Sequence, residues 1–190
     1  SNTSTWRGGN FISSSVINIR DTAIVQNIYS EGIISVANAG SLFNAVVNYY
    51  GNAAVNAALT LTADVADKFS TIKDCVIFAQ NIKAVFAISA ISGAKVVMQN
   101  VKGYSPANVG VYIHRGSGSD SGTLITNNVV GISDTSSGVV VVSTEINDSH
   151  TSTFDQPVIT GIVGYSGSGA GISGINISLK SCHGFSNTGN

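Results

Sequence analysis

The sequence has few charged residues and no long apolar run. Only 10% of its 190 residues are Asp, Glu, Lys or Arg, against about 25% in typical soluble domains. The formal net charge is −1, which excludes the broad basic surface of a nucleic-acid-binding protein. No apolar run approaches the roughly 18 residues that a transmembrane helix needs. Solubility therefore depends on Ser, Thr, Asn and Gly, and we expect neither nucleic acid nor membrane insertion.

Cysteine and histidine are also scarce, and their spacing does not suggest a metal site. The chain has two Cys and three His residues, and none of them form a cluster with metal-ligand spacing. Residues Gly169–Gly174 match the G-x-G-x-x-G pattern, but that pattern binds a dinucleotide only between a strand and a helix. A strand-like segment follows it here. We predict no metal, no cofactor, and two free, buried thiols at Cys75 and Cys182.

What the sequence does contain is a repeat of about 27 residues. Each copy is a strand-like segment whose fourth residue is a turn-forming residue, which we call the anchor. The seven anchors are Asp21, Asn48, Asp74, Asn100, Asn128, Asp155 and Ser181. Residues two before each anchor are mostly apolar and residues directly before it are mostly polar, as in a strand with one buried face. Stacked anchors could bond one another as a ladder, or they could be ordinary solvated turn residues.

A second strand recurs about eleven residues after the anchors, for example at Val139–Val142, and Gly or Ala often precedes it because Gly tolerates a positive φ. Parallel strands need long connections, and a turn of about 27 residues supplies them. We therefore predict an all-β fold: a single-stranded parallel β-helix over residues 16–190, with about six or seven rungs. Residues 1–15 are predicted to be an N-terminal cap or linker. Right-handedness follows from the general rule for parallel crossovers. A Greek-key sandwich is the alternative, but it predicts no such period.

Carboxylates, His and Arg converge at one place in the repeat. Asp120 and Asp148 each follow an anchor at the same offset, Glu145 and His150 flank Asp148, and Arg115 precedes Asp120. Two carboxyl groups on adjacent rungs could serve as the acid and the nucleophile or base of a glycosidase. We name Asp120, Glu145 and Asp148 as the candidate catalytic residues. The alternatives are a polar loop edge without catalysis, and sugar binding without turnover.

The anchors, the apolar strands and the low-charge Ser/Asn/Gly surface resemble the right-handed β-helices of bacteriophage tailspike and tail-appendage proteins, and more distantly the pectate-lyase-like fold. The resemblance covers residues 16–186. It implies a homotrimer on the virion tail that binds bacterial surface polysaccharide and, in many members, cleaves it as a depolymerase. The predicted glycan contacts are Arg115, His150 and Tyr112. The tyrosines that could stack on sugar rings are Tyr49, Tyr50, Tyr104, Tyr112 and Tyr165.

Two other functions fit the same sequence. The first is a purely structural β-helix that serves as a shaft or trimerisation module. The second is a segment of an adhesin on the bacterial cell surface. Neither alternative requires a catalytic carboxylate pair.

Overall fold

The chain is all-β, with every paired strand parallel. The computed structural model describes residues 4–12, 16–51, 55–89, 94–115, 123–143, 158–175 and 177–188, and these ranges contain no helix. Their strands are rich in Val, Ile and Thr, the β-branched residues that favour extended backbone. Each paired strand runs in the same direction as its neighbour. The prediction of an all-β chain with parallel strands is confirmed.

The strands form two large sheets and one small one. The larger sheet holds, in spatial order, β1 (Thr5–Phe11), β3 (Ile24–Ser30), β5 (Ser41–Tyr49), β7 (Phe69–Ala79), β9 (Lys95–Ser105), β11 (Thr123–Ser133), β14 (Ile162–Ser166) and β17 (His183–Ser186). The smaller sheet holds β2 (Val16–Ile19), β4 (Ile33–Ala37), β6 (Ala57–Ala63), β8 (Lys83–Ser89), β10 (Val111–Arg115), β12 (Val139–Ser143) and β15 (Ile172–Ile175). A two-stranded sheet joins β13 (Val158–Thr160) to β16 (Ser178–Lys180).

Successive strands alternate between the larger and the smaller sheet from β1 to β12. β1 lies within residues 1–15, the predicted cap or linker, and forms the edge strand of the larger sheet. The inner faces of both sheets contribute to one aliphatic cluster, which includes Leu42 and Ile72 from the larger sheet and Leu59 from the smaller one. These side chains are fully buried. Burial of such residues, each worth about 1.5–3 kcal/mol, is the main force that holds the sheets together.

One row of aligned residues runs across the strands of the larger sheet, and every member of this row has the left-handed backbone conformation. Strand register aligns its members, all with φ between 48° and 78°: Gly8, Asn27, Asn44, Asp74, Asn100, Asn128, Gly161 and Ser181. We call this the Asx column. Asn and Gly are the residues that tolerate this conformation best. The left-handed residue interrupts the alternation of side chains along the strand. Ile72, two residues before Asp74, and Cys75, directly after it, are therefore both fully buried.

Side chains of the Asx column form hydrogen bonds from one strand to the next. Asn44 Nδ2 donates to Asn27 Oδ1 at 2.7 Å, and Asn100 Nδ2 donates to Asp74 Oδ1 at 2.7 Å. Asn128 Nδ2 in turn donates to Asn100 Oδ1 at 3.0 Å. Of the two interpretations of the anchors, the structure therefore supports the ladder.

Four anchors were placed correctly and two were not. Asp74, Asn100, Asn128 and Ser181 lie in the Asx column, whereas Asp21 and Asn48 do not, and Asp155 lies outside the described residues. Asp21 is in the turn between β2 and β3, where Ala23 N bonds Arg20 O. Asn48 pairs with Phe78 on the outer face of the sheet.

Unequal strand spacing explains the two errors. Paired residues are 26 apart between β7 and β9 (Thr71 with Val97), close to the predicted period. They are only 17 apart between β3 and β5 (Ile24 with Ser41) and 33 apart between β11 and β14 (Val129 with Ile162). A fixed period of about 27 therefore loses register near the N-terminus. For the same reason Val46, predicted to point inward, is 41% exposed.

Both cysteines are free, as predicted, and they differ in burial. Cys75 is fully buried, and desolvation raises the pKa of its thiol to about 11. Cys182 is only partly buried, so the prediction of two buried thiols is wrong for this residue. It directly precedes β17, an edge strand of the larger sheet, which has a described neighbouring strand on one side.

Candidate functional site

The predicted catalytic residues Asp120, Glu145 and Asp148 lie outside the described residues, as does His150. Arg115 ends β10 and pairs with Ser143, which ends β12; nothing is described of the Arg115 side chain. The segments that carry the predicted carboxylates therefore follow two strand ends that lie side by side. Their pairing remains a prediction.

Tyr112, the remaining predicted glycan contact, lies on the outer face of the smaller sheet. Its ring stacks on that of Phe86, with ring centroids 5.5 Å apart and planes at 22°. The Lys83 ammonium lies 5.4 Å from the Tyr112 centroid and 5.9 Å from that of Phe86. This geometry is a cation–π arrangement over two rings. We call Lys83, Phe86 and Tyr112 the Lys83 patch.

A second line of aromatic residues follows the outer face of the larger sheet. Strand register aligns four aromatic residues and one aliphatic residue, Ile132, which we call the outer aromatic file: Phe78, Tyr104, Ile132, Tyr165 and Phe185. The rings of Phe78 and Tyr104 meet edge to face at 5.6 Å, and those of Tyr165 and Phe185 stack at 5.0 Å with planes at 11°. Tyr165 is 43% exposed and Phe185 is 51% exposed. These two rings form an exposed apolar surface at one end of the file.

A local sequence pattern directs four of these side chains outward. The file residue stands between a glycine and a serine in Gly103-Tyr104-Ser105, Gly131-Ile132-Ser133, Gly164-Tyr165-Ser166 and Gly184-Phe185-Ser186. The first three copies are each followed by a second glycine, at positions 110, 138 and 171. Because side chains alternate along a strand, glycine and serine face the interior and the residue between them faces solvent.

The glycines of this pattern are required by close backbone approach. A Cβ on Gly131 would collide with the Gly138 carbonyl, and one on Gly164 would collide with that of Gly171. The glycines with positive φ in the described residues are Gly8, Gly9 and Gly161. The expectation that Gly110 and Gly138 serve a positive φ is therefore wrong. They instead let the backbone turn tightly between the two sheets.

The serines of the pattern fix the turn that follows each strand of the larger sheet. Ser133 Oγ accepts from Ser136 N at 2.9 Å, and Ser166 Oγ accepts from Gly169 N at 2.6 Å. Ser166 Oγ also donates to Ser136 O, one level below. These buried hydroxyls satisfy backbone groups that no strand pairs with. The turns that follow neighbouring strands therefore lie one above another, and we call this edge between the two large sheets the corner.

The outer aromatic file and this corner line a pocket of about 200 Å³ that is open to solvent on one side, which we call the corner pocket. Its lining is Ile132, Ser133, Asp134, Tyr165, Ser166, Gly167, Phe185 and Asn187. Asp134 Oδ2 accepts a hydrogen bond from the Tyr104 hydroxyl at 2.8 Å. That bond raises the pKa of Tyr104, because it favours the protonated phenol. The bond also holds the carboxylate at the pocket rim, with accepting capacity left for a ligand.

The sequence reasoning found part of this site and missed the rest. Tyr104, Tyr112 and Tyr165 were named as candidates for stacking on sugars, and all three lie on outer faces. Tyr49, named with them, is buried in the core, and Tyr50 contacts Phe78 at 5.1 Å. Asp134, Phe185 and Lys83 were missed. The glycine and serine on either side of Phe185, which recur around Tyr104 and Tyr165, were a signal that could have found Phe185.

No protein-family model, curated protein or solved structure matches the chain. Within the described ranges, no three His, Cys, Asp or Glu side chains come close enough together to hold a metal ion. The same ranges contain no helix with the length and apolar character to cross a bilayer.

Proposed function

We propose that the chain is a polysaccharide-binding segment of a tailspike-like protein and that it holds the glycan along the outer aromatic file. The observation that carries this proposal is the corner pocket, where exposed stacked rings meet a carboxylate held in place. Its lining combines the exposed rings of Tyr165 and Phe185 with the polar groups of Asp134 and Asn187, which suits a ligand that has both apolar and hydroxyl-bearing faces. The proposed partner is a bacterial surface polysaccharide.

The proposed architecture is a right-handed, single-stranded parallel β-helix. Alternation of successive strands between two parallel sheets supports it, since each return to the same sheet makes one rung. Right-handedness follows the general preference of parallel crossovers. The proposal includes a homotrimer located on the virion tail or, in the adhesin alternative, on the bacterial cell surface.

Sugar chemistry matches both parts of the corner pocket. One face of a pyranose ring is largely C–H, and it can pack on the exposed rings of Tyr165 and Phe185. The ring hydroxyls can donate to Asp134 and can exchange hydrogen bonds with the Asn187 amide. Neighbouring levels of the file are about 4.8 Å apart. An extended chain of sugars can therefore contact several levels at once.

The binding test is titration of the full chain with a panel of bacterial polysaccharides, followed by calorimetry. We expect Tyr165→Ala and Phe185→Ala each to weaken binding about tenfold, the value of a lost aromatic contact. Phe69→Ala is the matched control, because Phe69 is also exposed on the larger sheet but lies outside the file. Unchanged affinity in both pocket variants, or equal loss in the control, contradicts the proposal.

Cleavage is a separate part of the proposal and would use Asp120, Glu145 and Asp148. A glycosidase needs two carboxyl groups on either side of the bond that breaks. Incubation with a polysaccharide that binds, followed by size-exclusion chromatography, tests this part. We expect shorter products with the native chain and none with Asp148→Asn. Binding without any size reduction identifies a non-enzymatic receptor-binding segment.

A structural shaft is the second candidate function, and the Asx column favours it. Hydrogen bonds that run between levels stiffen the stack whatever it binds. A shaft predicts a stable oligomer by light scattering and no glycan binding at millimolar sugar. The polysaccharide titration therefore distinguishes the two functions.

A further inference from the structure

Lys83 is a charged residue on the outer face of the smaller sheet. The four adjacent strands β6, β8, β10 and β12 contain no Asp or Glu. The chain as a whole has a net charge of −1. Although the chain is weakly acidic, these four strands supply no carboxylate that could neutralise Lys83, so an external anion can approach it.

Lys83 is positioned by aromatic rings rather than by an acidic partner. Its ammonium lies within 6 Å of both ring centroids of the Lys83 patch. No carboxylate in the described part of the chain pairs with it. Lys83 begins β8, whereas residues 116–122 follow the opposite end of the adjacent strand β10. A lysine held over two rings without a counter-ion keeps its N–H groups available for an external anion.

The aromatic stack ends beside Tyr112. The residue aligned with Tyr112 on β12 is Val140, which is shorter than an aromatic side chain. A sugar ring can therefore approach Tyr112 on the side away from Phe86. A ligand placed there would have its apolar face against the ring and its polar edge close to the Lys83 ammonium.

We propose that the Lys83 patch binds a carboxylate-bearing sugar, with the carboxylate on Lys83 and the sugar ring against Tyr112. This inference rests on the proposed glycan function for the nature of the ligand, but its site is separate from the corner pocket. It names an acidic sugar as a component of the polysaccharide. The corner pocket, which has the Asp134 carboxylate at its rim, is expected to take neutral sugar units because like charges repel.

The test is NMR titration of the full chain with glucuronate, followed through the aromatic signals of Phe86 and Tyr112. Glucose is the neutral control of matched size, and inorganic phosphate is the control for an anion without a sugar ring. We expect glucuronate to shift both signals with millimolar affinity that weakens at high salt. Glucose is expected to leave them unchanged, and phosphate is expected to bind less tightly than glucuronate.

Variants show whether the charge and the patch are responsible. Lys83→Gln should weaken glucuronate binding about tenfold, as expected for loss of a charged hydrogen bond, and Lys83→Arg should retain most of it. Equal affinity in the native chain and Lys83→Gln overturns the inference, and so does phosphate binding as tight as that of glucuronate. Tyr165→Ala separates the two proposals: it should leave glucuronate binding unchanged while it weakens polysaccharide binding at the corner pocket.

Discussion

The N-terminal and C-terminal halves of the larger sheet fill the same inward column in different ways. In the N-terminal half this column carries buried side chains, Val47 and Ile77. In the C-terminal half the aligned residues are Gly103, Gly131 and Gly164. A side chain keeps the two sheets apart at the corner, whereas glycine lets the corner backbone close onto the strand. The corner pocket lies in the glycine half, so we expect residue size inside the two sheets to influence the shape of their outer surface.

Adding a side chain to the column of Gly103, Gly131 and Gly164 should have the largest effect on stability. Gly131→Ala places a Cβ against the Gly138 carbonyl and beside Val139, and backbone atoms cannot rotate away as side chains do. We expect the free energy of unfolding to fall by about 3 kcal/mol, the upper end for overpacking. Urea denaturation followed by circular dichroism measures this.

The matched control for Gly131→Ala is Asn127→Ala, an exposed position on the same strand, which should change stability by less than about 0.5 kcal/mol. If Gly131→Ala were equally harmless, the corner would not be as tightly closed as described. The column would then not explain the difference between the two halves.

An intermediate effect is expected in the Asx column, which both halves share. Asn100→Ala removes two side-chain hydrogen bonds and forces Ala into the left-handed region, so we expect a loss of about 2 kcal/mol. Asn100→Gly removes the same bonds without the backbone strain and should cost about 1 kcal/mol. Thermal unfolding of the two variants side by side separates the two causes. Equal losses would show that the ladder bonds dominate and that backbone conformation contributes little.

The smallest effect is a gain in the N-terminal half. Thr22 has φ 70° in a tight turn, and its hydroxyl is buried without a hydrogen-bond partner. A β-branched residue is poorly suited to this conformation. Thr22→Gly should therefore stabilise the protein by about 1 kcal/mol, seen as a higher urea midpoint. Thr22→Ala removes the hydroxyl but keeps the backbone strain, so it should raise stability less than Thr22→Gly. A larger gain from Thr22→Ala would show that the buried hydroxyl, and not the backbone conformation, is the main cost.

Much of the fold could be predicted from the sequence where the repeat is regular. Between β7 and β11 the spacings of 26 and 28 residues lie close to the predicted period, and Asp74, Asn100 and Asn128 were assigned correctly. Near the N-terminus the connections shorten, and the prediction chose Asp21 and Asn48 in place of Asn27 and Asn44. All four are turn-forming residues, so composition alone could not distinguish them. Strand register distinguishes them, because Asn27 and Asn44 align with Asp74 in the Asx column whereas Asp21 and Asn48 do not.

The sequence by itself determined the all-β class, because alternating apolar residues and turn-forming Asn and Gly are local properties of the chain. It also named Tyr49, Tyr50, Tyr104, Tyr112 and Tyr165 as candidates for stacking on sugar rings, and of these Tyr49 is buried. Only the tertiary structure decided which residues share a surface. Phe185 stacks on Tyr165 and Lys83 lies over Tyr112, although each pair is at least 20 residues apart in the chain. Connections of unequal length set the register between strands, and register decides which distant side chains meet.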